Sequence, residues 1–301
     1  MTSKIIVVPI IILLSLFHEG IKVNPLGTVI AGVLWLVGSA VTTALRTAFL
    51  IKAINWYGPE VFLNLALLYE IILIAGYMVF IQVLAPVMLQ SLPEGPAKAT
   101  IADITSKAGY SSRHEVYFQP QVEGRASNPD AYHVGMFGTS MIVISESLMK
   151  LVDPADIGAV VAHEMGHWYH SHSAYTFTAS ILINCAFTEM ATWSYGNEIA
   201  YKIFNFDMTD PPHPIIATIL VTKYFFPIFD GFMSGLFGTM RYFCEFTADG
   251  FAVKMGLGTE LRRSLLALCS KIKMFPGADS WYAAWFRAHP SMVLRIERLS
   301  Q

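Results

Sequence analysis

The sequence predicts a mostly α-helical, polytopic membrane protein with a small β-sheet near its middle. Composition is the first reason, because 54% of the 301 residues are hydrophobic and only 14% are charged, whereas soluble domains carry about 25% charged residues. The second reason is a series of long apolar runs, and the third is a short central stretch with the apolar patterns of β-strands. The net charge of −2 argues against nucleic-acid binding through a basic surface.

Three apolar runs predict N-terminal transmembrane helices within residues 1–90. Residues 26–51 and residues 61–89 each exceed the roughly 20 residues that a helix needs to cross a bilayer. Residues 5–17 are shorter and contain Pro9. Because only Lys4 precedes this run as a charge and no clear small-residue cleavage site follows it, we interpret it as an uncleaved first span.

The chain becomes more polar after residue 90, where a Ser-Leu-Pro-Glu-Gly-Pro stretch marks the exit from the membrane region. Residues 91–172 are predicted to form one mixed segment. Its pattern predicts a helix and then three strands, over residues 97–108, 115–118, 130–134 and 141–145.

Two further apolar runs, residues 174–193 and 214–240, predict a transmembrane hairpin over residues 173–243. Residues 244–301 are polar enough to form a soluble helical segment. The polar residues inside the runs have two interpretations: exposed charges on shorter helices, or groups that face a wet interior. These residues are Glu70, Asn184, Glu189, Lys223 and Asp230.

The most informative feature is an HExxH motif, His163-Glu164-Met165-Gly166-His167. Residues four apart share one helical face, so both imidazoles can reach one metal ion, and Glu164 can act as a base towards water. This is the arrangement of zinc peptidases. An amphipathic helix whose His and Glu pair with each other or with solvent would show the same pattern. Asp153-Pro154 predicts where this helix begins, since it reads as an N-cap followed by proline.

A third ligand is predicted after the second apolar run, where Glu245 and Asp249 lie four residues apart on one helical face. Glu245 would complete the ligand set, and Asp249 would accept a hydrogen bond from a ligand imidazole. The alternative is a solvated acidic helix face. Near the C-terminus, His289 and Arg295 are candidates for stabilising the oxyanion of a peptide bond under attack.

The remaining polar candidates are interpreted as structural. The three cysteines are widely spaced and form neither a CxxC pair nor a disulfide framework. The other histidines are expected to be ordinary surface or packing residues: His18, His114, His133, His170, His172 and His213.

Together these motifs resemble the type I integral-membrane CAAX prenyl endopeptidases, the zinc proteases that also mature yeast a-factor. The similarity covers roughly residues 92–299. It rests on ordered motifs: Leu-Pro-Glu-Gly at 92–95, Asp-Ala-Tyr at 130–132, Ile-Val-Ile at 142–144, the HExxH motif with Trp168, Glu-Phe at 245–246, Ala-Asp at 248–249, Phe-Ala at 251–252, and Ser-Trp at 280–281 leading to Trp285 and His-Pro at 289–290.

The resemblance implies a gluzincin-like zinc metalloprotease domain with one Zn²⁺ per chain, held by His163, His167 and Glu245. Glu164 would activate water, Asp249 would orient a ligand, and His289 and Arg295 would assist at the substrate carbonyl. The extended substrate would pair with a strand formed by Asp130, Ala131, Tyr132, His133 and Val134, a β-augmentation mode. The chain departs from the family at Asp130, where Asn is usual, and at Ser291, where a second Pro is frequent.

The function implied is removal of the C-terminal tripeptide from prenylated CAAX proteins in the endoplasmic reticulum membrane, and in the inner nuclear membrane where the two are continuous. The partners would be the prenylated substrate and the lipid bilayer. Two other functions remain open. One is a quality-control membrane zinc protease of the bacterial heat-shock type, which the short chain favours. The other is a membrane scaffold or translocation-associated binding protein without enzymatic activity.

Overall fold

The structure is a computed structural model. It describes residues 37–38, 41, 44–45, 48–49, 51–80, 89–110, 114–121, 129–135, 138, 140–272, 277, 279–286 and 290–300. The chain divides into two compact units, one formed by Met1–Leu68 and Asn184–Asp230, and the other by Tyr69–Ile183 and Gly231–Gln301. The second unit contains the β-sheet and the HExxH motif.

The described residues form helices and strands in the following order: α1 (Val61–Val79), β1 (Gln90–Ser91), α2 (Pro96–Lys107), β2 (Glu115–Gln119), β3 (Ala131–Val134), β4 (Met141–Ser145), α3 (Glu146–Leu151), α4 (Pro154–Tyr169), α5 (His172–Ser194), α6 (Glu198–Ile203), α7 (Ile215–Tyr224), α8 (Phe226–Lys254), α9 (Gly258–Ile272), α10 (Ser280–Phe286) and α11 (Met292–Arg298). The mostly helical fold predicted from the sequence is confirmed, as are the helix near residues 97–108 and the three strands.

The strands form one mixed sheet in the order β1-β2-β4-β3. Strand β4 lies between a parallel neighbour, β2, and an antiparallel neighbour, β3. All five residues of β4 are buried, because Ile142 and Ile144 face the main core while Met141 and Val143 face a second apolar cluster. Among the described strands, β3 lies at the edge of the sheet and pairs with the fully buried β4.

Helix α4 is the centre of the main core. It begins at Pro154 after Asp153, as predicted, although the Asp153 side chain makes no capping hydrogen bond. Its residues from Asp156 to Gly166 are all buried. At Gly158 the helix lies so close to α2 that an added Cβ would clash with the side chain of Ile104.

Helix α9 is fastened to the start of α4 by an ion pair. The Arg263 guanidinium donates from Nη2 and Nε to Oδ1 of the buried Asp156, at 2.7 and 3.0 Å. Asp156 lies in the first turn of α4, where the helix dipole also favours a negative charge. This ion pair holds α9 against α4. Helix α9 in turn supplies apolar residues that line a cavity beside α4.

Replacing Arg263 with alanine is expected to lower the free energy of unfolding, because the buried Asp156 carboxylate loses two charge-assisted hydrogen bonds. Thermal unfolding of the purified protein measures this effect. Lys271→Ala is the matched control, since Lys271 is an exposed cation on the same helix. Equal unfolding midpoints for the two variants would show that the ion pair contributes nothing.

The unit formed by Met1–Leu68 and Asn184–Asp230 has its own apolar cluster, in which Ala200 and Tyr201 of α6 pack with Ala217 and Val221 of α7. Among the described residues, no single helix passes a length and hydropathy test for crossing a membrane. Helices α7 and α8 pass it only together, with a bend of 43° between them. The predicted span at residues 5–17, most of the span at 26–51, and residues 81–88 lie outside the described residues.

Candidate metal centre

The two histidines of the HExxH motif converge on one point in the buried part of α4. Their Nε2 atoms lie 3.3 Å apart, as expected for residues four apart on one helical face. Both rings therefore present a nitrogen to the same space. The arrangement depends only on the local geometry of α4, so the motif predicted it without knowledge of the fold.

Glu245 of α8 approaches the same point. One carboxylate oxygen lies 3.6 Å from His163 Nε2 and the other lies 3.6 Å from His167 Nε2. Glu245 is buried, so the alternative of a solvated acidic face at this position is wrong.

The three side chains fit a zinc ion. Zinc binds imidazole nitrogen at about 2.0–2.1 Å in a tetrahedron, which places neighbouring ligand atoms about 3.3–3.4 Å apart. The separations of 3.3 and 3.6 Å are close to that value. Two neutral imidazoles and one carboxylate are also a donor set that zinc accepts.

Asp249, one turn after Glu245, holds the other nitrogen of His163. The Nδ1–H of His163 donates to Asp249 Oδ1 at 2.9 Å, and Nε2 of the same ring lies 3.6 Å from Glu245 Oε2. Burial would raise the pKa of Asp249, but the hydrogen bond with His163 and the Arg295 guanidinium lower it to about 2. Asp249 is therefore a carboxylate at neutral pH.

Arg295 of α11 is buried between two carboxylates. Its Nη2 and Nε donate to Asp249 at 2.6 and 2.9 Å, and its Nη1 lies 3.2 Å from Glu245 Oε2. Arg295 and Glu164 also line the same cavity. Arg295 thus connects the candidate ligand Glu245 with the residue that orients His163.

Glu164 lies beside this cluster at the wall of a cavity. A hydrogen bond from the backbone N–H of His133 in β3 holds its carboxylate. Burial is the main reason that the pKa of Glu164 is raised to about 7, with a further contribution from the charge of Glu245. A carboxylate with a raised pKa can both take and return a proton near neutral pH.

The cavity has a volume of about 500 Å³ and combines the polar cluster with an apolar wall. Residues of β3, α9 and α11 contribute to its lining. Its lining includes Asp130, Ala131, Tyr132, His133, His163, Glu164, His167, Glu245, Leu261, Leu265, Leu268, Met292 and Arg295. Strand β3 therefore borders the cavity as an edge strand, with Asp130 just before it and Val134 at its end.

His289 lies outside the described residues, so its predicted place at the site is not described. The residues that follow it, Pro290 and Ser291, are buried. Ser291 caps α11, because its side chain accepts a hydrogen bond from the backbone N–H of Leu294. The cap fixes the start of the helix that carries Arg295.

His172 is part of the site, which the sequence analysis did not predict. Its Nδ1 lies 2.9 Å from His167 Nδ1, and its Nε2 lies 3.0 Å from Thr247 Oγ1. Burial and the neighbouring His170 lower the pKa of His172 to about 4, so this imidazole is neutral. Helical periodicity could not reveal the contact, because α4 has ended and Ser171 takes a left-handed conformation, with φ 55°, before α5 begins.

Comparison with known proteins adds a family and a fold. Peptidase family M48 matches residues 91–301. Among curated relatives, the chain is 30% identical over 211 residues to a CAAX prenyl protease 1 homolog of Arabidopsis thaliana. It is 26% identical over 222 residues to CAAX prenyl protease 1 of Saccharomyces cerevisiae. Each match covers 69% of this chain and 48% of the relative, so the chain spans about half the length of these proteins.

Among solved structures, the crystal structure of S. mikatae Ste24p has the same fold. The TM-score is 0.67 at 22% sequence identity, over 89% of this chain and 64% of the other.

Proposed function

Since the chain belongs to peptidase family M48, we propose that it is a zinc endopeptidase that removes the C-terminal tripeptide from prenylated CAAX proteins. The observation that carries the proposal is the convergence of His163, His167 and Glu245 beside Glu164 at the cavity. The names of the relatives, CAAX prenyl proteases, support the substrate class.

In this proposal His163, His167 and Glu245 hold one Zn²⁺ per chain. The ion would supply a Lewis acid that polarises the scissile carbonyl and lowers the pKa of water. Asp249 holds His163 in the tautomer with a lone pair on Nε2, as its 2.9 Å contact with Nδ1 supports. Arg295 orients both Glu245 and Asp249, and its two carboxylate contacts favour this role over donation to the substrate carbonyl.

Glu164 is the general base and then the general acid. It takes the proton of the attacking water and passes it to the amine that leaves when the peptide bond breaks. The hydrogen bond from the His133 backbone keeps the carboxylate at the cavity wall. A role for His289 at the oxyanion rests on the family resemblance alone.

The substrate would bind as an additional strand along β3. The position of β3 at the edge of the sheet supports this binding mode, because an edge strand offers unpaired backbone groups to an extended peptide. Asp130, Ala131, Tyr132, His133 and Val134 would form the contact. The apolar wall formed by Leu261, Leu265 and Leu268 suits the aliphatic residues of a CAAX sequence.

The membrane setting is part of the proposal. A prenylated tail partitions into a bilayer, so a protease of such substrates works where that tail arrives. We infer a multi-pass protein of the endoplasmic reticulum membrane, with N-terminal spans in residues 1–90, a hairpin in 173–243, and catalytic residues supplied by 91–172 and 244–301. By length and composition, the bent pair of α7 and α8 supports one span of that hairpin.

Cleavage of a farnesylated CAAX peptide by the purified protein in detergent tests the proposal. Release of the terminal tripeptide is expected, and a zinc chelator should abolish it because three side chains then lack the ion that they share. Added Zn²⁺ should restore cleavage. The unprenylated peptide is the matched control for substrate class.

Other results would contradict the proposal in distinct ways. Equal cleavage of prenylated and unprenylated peptides would favour the quality-control protease. Stoichiometric zinc without hydrolysis of any substrate would favour the scaffold.

A further inference from the structure

His172 connects a candidate zinc ligand to the helix that carries another. Both of its ring nitrogens are engaged, Nδ1 with His167 Nδ1 at 2.9 Å and Nε2 with Thr247 Oγ1 at 3.0 Å. Thr247 lies on α8, two residues after Glu245. The side chain of His172 is buried, and its ring meets that of His167 edge to face with centroids 5.0 Å apart.

The donor and the acceptor in each of these hydrogen bonds can be assigned by starting from the Thr247 hydroxyl. The Thr247 hydroxyl lies 2.9 Å from the carbonyl oxygen of Cys244 in its own helix, and a carbonyl only accepts. With the hydroxyl proton used there, His172 Nε2–H donates to Thr247 Oγ1. The lone pair of His172 is then on Nδ1, where it accepts from His167 Nδ1–H. A neutral His167 carries one proton, so its Nε2 has the lone pair that faces His163 and Glu245.

Helix α8 also orients the imidazole of His163, in this case by a direct hydrogen bond. Asp249 of α8 accepts directly from His163 Nδ1 at 2.9 Å. Helix α8 therefore offers one carboxylate to the cluster and fixes the tautomers of both imidazoles, one directly and one through His172. His172 begins α5 after the left-handed Ser171, so it does not continue the helical period of α4.

We propose that His172 is a positioning residue that holds His167 with its Nε2 lone pair directed at the metal, with Thr247 as the end of the relay. This inference rests on the proposed zinc site and goes beyond it, because it assigns a role to two side chains outside the ligand set. Partners of ligand imidazoles fix the tautomer and ring orientation, and their loss weakens metal binding about 10- to 100-fold.

The test measures zinc affinity of the full-length protein in detergent by competition with a chromogenic chelator, without any substrate. His172→Leu, which keeps the bulk but no hydrogen bond, is expected to raise the zinc Kd about 10- to 100-fold. His172→Gln should recover most of the affinity, because its amide can accept from His167 and donate to Thr247. Thr247→Val should cause a smaller loss, which Thr247→Ser restores.

His170→Gln is the matched control, since His170 stacks on His172 with ring centroids 5.5 Å apart but has no part in the proposed relay. Its zinc affinity should equal that of the wild type. Wild-type affinity in His172→Leu, or equal losses in the Leu and Gln variants, would overturn the proposal. If His172→Leu does not fold, Thr247→Val and Thr247→Ser provide the same comparison, because Thr247 is exposed. A wild-type protein that binds no zinc would instead overturn the metal site itself.

Discussion

Replacing Glu164 with glutamine is expected to slow peptide cleavage about 10²- to 10⁴-fold, the range lost when a general base is removed. Glutamine has nearly the same shape and can still accept the backbone hydrogen bond from His133, but it cannot take a proton from water. The effect should appear in kcat, with little change in KM, because the lost interaction belongs to the chemical step.

The measurement requires two controls on the same preparation. Bound zinc should match that of the wild type, because Glu164 makes no contribution to the ligand set in the proposed site. The thermal unfolding midpoint should not fall, because the substitution removes a carboxylate whose pKa is raised by burial. Glu164→Asp gives a graded comparison, since its carboxylate is retained but displaced by one methylene. Normal cleavage by Glu164→Gln, with zinc and fold retained, would exclude Glu164 as the base.

The parts of the site that the sequence predicted are those that depend on local geometry. The HExxH spacing places two imidazoles on one face of α4 whatever the surrounding fold is. Proline at 154 predicted the start of that helix, and the apolar stretch at residues 141–145 predicted a strand. These features follow from steric and periodic rules that act within a few residues.

Features that depend on tertiary packing could not be predicted in the same way. Spacing alone left Glu245 open between a ligand and a solvated residue, because its distance from His163 is set by how closely α8 approaches α4. The contact of Arg295 with Asp249 likewise requires α11 to pack beside α8. His172 was missed for a different reason, since the left-handed residue Ser171 interrupts the helical period on which the prediction relied.

One small residue controls the close approach of α4 and α8. Gly166, inside the HExxH motif, lies against Ala248, which is between Glu245 and Asp249 in α8. A Cβ added at Gly166 would be 2.7 Å from Ala248 Cα and 3.0 Å from its carbonyl oxygen. Both are backbone atoms, which cannot rotate away as a side chain can. A side chain at this position therefore has to push the two helices apart.

Gly166→Ala is accordingly expected to weaken zinc binding and to lower kcat about 10²-fold, since a displacement near 1 Å of catalytic groups costs that much. Two effects of opposite sign act on the stability of this variant. Alanine in a helix is favoured over glycine by about 0.5–1 kcal/mol, whereas overpacking costs about 1–3 kcal/mol. The variant should therefore unfold at a lower temperature, although helix propensity alone predicts a higher one.

Gly250→Ala separates the two contributions. Gly250 lies in α8 beside Asp249, and a Cβ added there meets no atom within 4 Å. That variant should keep its zinc affinity and activity and gain the stability that helix propensity provides. Zinc content, kcat and unfolding midpoints of the two variants give the comparison. If Gly166→Ala behaved like Gly250→Ala, the separation of α4 and α8 would not be what sets the position of Glu245, and another contact would have to hold the third ligand in place.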